Sequence, residues 1–76
     1  MINTDRTLFQ ESTVTPQSLH REAVAQLEKA VRHHRQAAKL HDAADSRQAQ
    51  THGSIAYKHT AQALEVSSRA LNVPVW

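Results

Sequence analysis

The chain has 76 residues and a mass of 8.5 kDa, 39% of it hydrophobic, and with 0 Cys it has neither a disulfide nor a thiolate zinc site to brace it. One Gly, two Pro and 21% charged residues argue against a turn-rich β fold and against a long disordered chain, and a net charge of +2 is too small to imply nucleic acid or membrane as partner. With no apolar run of about 18 residues and no basic-then-apolar leader at the start, the expectation is a single soluble, cytoplasmic domain.

Residues 1–14, with Ile2, Leu8, Phe9 and Val14 among polar neighbours, carry no helical repeat and are read as an extended arm. At Thr15-Pro16 the character changes: a threonine can cap the first N–H groups of a helix, and proline suits the first helical position. Apolar and histidine positions then recur at helical spacing, which predicts a helix over about 16–43. The break falls near Ala44-Asp45, where Asp45 with Gln48 three residues on reads as a capping box. A second helix is predicted over about 46–72, ended by Pro74. Residues 73–76 form a short apolar tail, in which Trp76, like Phe9 in the arm, is expected to cover an end of the molecule.

The fold class expected is therefore all-α: a long antiparallel αα-hairpin over 15–72. In heptad terms the first helix carries His20, Leu27, His34 and His41 at one core position and Ala23, Ala30, Ala37 and Ala44 at the other. The second carries Ala49, Ala56, Ala63 and Ala70, then His52, His59, Val66 and Val73. A hairpin centred between residues 44 and 49 would face His41 with His52, His34 with His59 and Leu27 with Val66, leaving His33 outward. Tyr57, Leu64 and Leu71 form a second apolar stripe, and Val24 and Val31 flank the seam. A lone hairpin would leave these wet, so two copies are expected to pair as a homodimer in a four-helix bundle. The same stripe could instead form a groove for another protein.

Four core imidazoles, His34, His41, His52 and His59, are candidate ligands for Zn, Cu or Ni, because neutral imidazole binds late transition metals and no thiolate competes. The alternative is structural: buried histidines that fix register through hydrogen bonds to one another, to water or to Thr51, Ser54 and Thr60. A third reading makes the core pH-responsive, since protonating stacked imidazoles would loosen it. A di-iron oxidase is disfavoured, because Glu22, Glu28 and Glu65 fall on outward positions and no Glu-x-x-His spacing occurs. No Cys nucleophile, Gly-rich phosphate loop or His-Glu-x-x-His motif is present, so no enzyme is expected. The run Arg32-His33-His34-Arg35, with Lys39, reads as a solvated face rather than an anion site.

The segment HHRQAAKLHDAADSRQAQTHGSIAYKHTAQA, residues 33–63, arranges His34, Ala37, Ala38 and His41 before Ala44-Asp45, and Ala49, His52, Ala56, His59 and Ala63 after it. In these His-x-x-Ala-Ala and Ala-x-x-His blocks it resembles a loose group of small bacterial His- and Ala-rich helical-hairpin proteins of unknown function. The resemblance implies a hairpin dimer and no established activity.

Overall fold

The computed structural model describes residues 14–72 and shows two helices, α1 (Pro16–Asp42) and α2 (Ser46–Asn72), packed against each other as a hairpin. The arm and the apolar tail, Phe9 and Trp76 included, lie outside the described residues, apart from exposed Val14. Each helix has 27 residues, so each is about 40 Å long at ~1.5 Å per residue. No helix among the described residues is long and apolar enough to cross a membrane.

Local chemistry sets the boundaries. The extended backbone of Thr15 starts α1, its side chain accepts from the Ser18 N–H at 3.1 Å, and Ser18 Oγ accepts from the Thr15 N–H at 3.0 Å. This reciprocal box satisfies two donors that the first turn otherwise orphans, and Pro16 at the first helical position has no donor to lose. At the other end Ala44 takes a left-handed conformation, φ 62°. Its N–H donates to His41 O at 3.0 Å and the Asp45 N–H donates to Leu40 O at 2.8 Å, the bond pattern of a Schellman stop. Asp45 then caps α2, its Oδ1 accepting from the Gln48 N–H at 3.2 Å. Gln48 returns its side-chain amide to Asp45 Oδ2 rather than to the cap's backbone, so only half of the expected box forms.

The core is built of small residues. Among the described residues the buried side chains are Leu19 and six alanines, Ala23, Ala30, Ala49, Ala56, Ala63 and Ala70, and no large side chain is fully enclosed. Alanine along both helices lets the two backbones approach closely. Each buried methyl contributes only about 0.8 kcal/mol, less than the roughly 1–2 kcal/mol needed to fix one residue's backbone. The hairpin is well specified in shape and weakly supported in mass of core.

Candidate functional site

The seam between the helices is where chemistry-bearing side chains meet. On α1 the inward line runs through Leu19, Ala23, Gln26, Ala30, His33, Ala37 and Leu40, in alternating steps of four and three. On α2 it runs through Ala49, His52, Ala56, His59, Ala63, Val66 and Ala70, as the heptads predict. The expectation for α1 is corrected by one position. His20, Leu27, His34 and His41 are exposed, and Gln26, His33 and Leu40 stand in the seam instead.

Cross-seam pairs fix the register. His33 meets His52, and Gln26 meets His59; the residue numbers of both pairs total 85, not the 93 of the pairs expected. His52 thus finds its partner eight positions earlier on α1 than His41, roughly 12 Å along the axis. The cause is the turn. Only Ala43, Ala44 and Asp45 separate the helices, and the Schellman bonds tie Asp45 to Leu40, so the hairpin pivots closer to α1 than a centre between 44 and 49 would allow. None of the predicted facing pairs, His41 with His52, His34 with His59 and Leu27 with Val66, is formed.

The imidazoles that do enter the seam form one stack. His33 lies between its neighbours, with ring centroids 5.1 Å from His52 and 6.0 Å from His59. His33 Nδ1 and His52 Nδ1 are 2.9 Å apart, so one ring donates its Nδ1–H and the other accepts. His59 Nδ1 stands 2.7 Å from Gln26 Oε1. The direction of that bond follows from Glu22, whose Oε2 accepts from Gln26 Nε2 at 2.9 Å and so turns the amide carbonyl toward His59. His59 therefore donates from Nδ1, and in its neutral form keeps the lone pair on Nε2.

The electrostatics agree with this geometry. Partial desolvation lowers the His33 pKa below its ordinary value of 6.5, and His52, His59 and Arg32 push it further down by like-charge repulsion. The pair can take one added proton on the donor ring's Nε2 without losing its bond. A second forces two N–H groups toward each other and breaks it.

Thr51 and Thr60, expected as partners for the rings, donate instead to their own helix, to Arg47 O at 3.2 Å and Ala56 O at 2.9 Å. Glu22, Glu28 and Glu65 are exposed, as are Arg32, Arg35 and Lys39. Of the four candidate metal ligands, His52 and His59 are half-buried in the seam, while His34 and His41 line an open groove with Ala37, Ala49, Gly53 and Tyr57. Among the described residues no group of three or more His, Asp or Glu side chains is placed to hold one metal ion. His33, read as outward from the sequence, is the residue that joins the stack. Known protein families, curated proteins and solved structures give no match to this chain.

Proposed function

We propose that this chain is a non-enzymatic, cytoplasmic interaction module that self-associates as a homodimeric four-helix bundle, and that its imidazoles organise the seam rather than serve a reaction. The observation that carries the reading is the 2.9 Å contact between His33 Nδ1 and His52 Nδ1. Two rings that satisfy each other across the seam define one register and occupy both Nδ1 atoms, so that between them only the donor ring's Nε2 keeps a free lone pair. Self-association is supported by the small core: Leu19 and six alanines leave the larger aliphatic side chains of both helices to be covered by something else.

A second reading, in which the chain binds or buffers Zn, Cu or Ni, draws on the bond from His59 to Gln26. An imidazole that donates Nδ1–H to a carbonyl is oriented to offer Nε2 to a metal. Calorimetric titration of chelator-stripped protein with Zn, Cu and Ni separates the two. The proposed module gives no saturable heat and no shift in melting temperature. Saturable binding of one or two ions per dimer, abolished in His52→Ala/His59→Ala, would replace it with the metal reading.

A further inference from the structure

We propose that the second copy docks on one defined face of the hairpin, with the two turns at the same end, so that α1 of each subunit lies along α2 of the other. This inference rests on the self-association proposed above and names the surface and the arrangement.

The roll that brings His33 inward turns a row of larger side chains out. Val24, Leu27 and Val31 of α1, and Tyr57, Leu64 and Leu71 of α2, are between 45% and 81% exposed. They share one face. One position beyond the seam, from Ala30 to Val31 or from Ala56 to Tyr57, the side chain has turned about 100°. Because the helices run antiparallel and face each other, both steps lead to the same side of the hairpin. The groove that joins His34, Ala37 and His41 to Gly53 and Tyr57 lies on this side. The imidazole edge of the seam lies on the other, beside Glu22 and Lys29.

The size suits a second copy. The face is about 40 Å long and about 20 Å wide, or roughly 800 Å², which is the area each partner buries in a stable standard interface. Its pattern sets the direction. Tyr57, Leu64 and Leu71 stand at the heights of residues 28, 21 and 14, so with Val24, Leu27 and Val31 they occupy the half remote from the turn. The turn half presents His34, His41, Gln50 and Gly53. A twofold axis parallel to the helices lays apolar half on apolar half along the whole face, whereas an axis across them lays apolar on polar at full overlap and matches the apolar halves only by leaving both turn halves uncovered.

Charge gives two opposite pairs against one like pair in this arrangement. An axis along the helices leaves no freedom to slide, so each α1 residue meets the partner's α2 at the height of its own hairpin pairs. At the outer edges Glu28 then meets the partner's Lys58 and Arg21 meets the partner's Glu65, both opposite charges, while Lys39 nearer the turn meets the partner's Arg47, a like pair. Within one chain these residues sit on opposite flanks of the hairpin. A contact between them reports the dimer alone.

Sedimentation equilibrium on the full chain, with circular dichroism at the same concentrations, tests the arrangement. Leu64→Glu should weaken dimerisation at least tenfold, while Lys29→Glu on the opposite side leaves it unchanged. Glu28→Lys and Lys58→Glu should each weaken it about threefold to tenfold, and the double variant should recover most of the loss. Spin labels on Arg47→Cys, beside the turn, should lie within roughly 25 Å of each other across the dimer, against about 40 Å or more for turns at opposite ends. A dimer indifferent to Leu64→Glu, a double variant without recovery, or the longer distance would overturn this arrangement and leave self-association standing. A wild-type chain that stays monomeric would remove both.

Discussion

His33 is the residue on which the seam turns, and its chemistry makes the hairpin sensitive to acid. Desolvation first, then His52, His59 and Arg32, favour its neutral form in the folded chain. The sign follows from linkage: with the folded pKa below the unfolded value near 6.5, the unfolded chain binds more protons as the pH falls through that value. Stability is full above pH 6.5 and declines below it, down to the folded pKa. Chemical denaturation at pH 7.5 and pH 5.5 should show a lower midpoint at pH 5.5, and His33→Ala should reduce the difference. A difference unchanged in that variant would place the titrating group elsewhere. Gln26 offers a second test at this scale. Gln26→Ala removes the acceptor of His59 and should cost about 0.5–1.5 kcal/mol, read from the same denaturation curves. These partners were hard to read in the sequence for a plain reason. On α1 the positions on either side of the alanine line both hold a histidine, His33 and His34, and heptad periodicity alone does not choose between neighbours one residue apart.

The helices themselves were legible. Thr15-Pro16 announced the start of α1, Asp45 announced α2, and the alanine lines of both helices sit in the seam where the spacing puts them, except that Ala44, expected as the last core alanine of α1, is exposed in the turn. Register was not legible from histidine matching, although the break at Ala44-Asp45 was itself a better guide to the pivot. Pairing like with like along the numbering favoured His41 with His52, but the Schellman bonds and the three-residue turn draw α2 back along α1. Two changes test the elements. Ala44 holds φ 62° without being glycine, a conformation that costs an L-residue roughly 1–2 kcal/mol. After the extra chain entropy of glycine, Ala44→Gly should stabilise the hairpin by about 0.5–1 kcal/mol, seen as a raised melting temperature. Thr15→Ala should act in the opposite direction by about 1 kcal/mol, because the Ser18 N–H loses its acceptor.

At the scale of the whole molecule, one rotation has two consequences. Turning His33 into the seam turns Val24, Leu27 and Val31 out beside Tyr57, Leu64 and Leu71. The two-helix unit thus buries mainly alanines and leaves these six larger apolar side chains exposed, the reverse of a self-sufficient domain. The melting temperature should therefore rise with protein concentration, since a fold completed by association gains stability by mass action. The most direct test is a nuclear Overhauser spectrum of the histidine ring protons, assigned by single His→Gln variants. It should show cross-peaks from His33 to His52 and to His59, whose ring centroids lie 5.1 and 6.0 Å away. Cross-peaks from His41 to His52 and from His34 to His59, with His33 silent, would show the opposite roll and contradict both the seam and the outer face built on it.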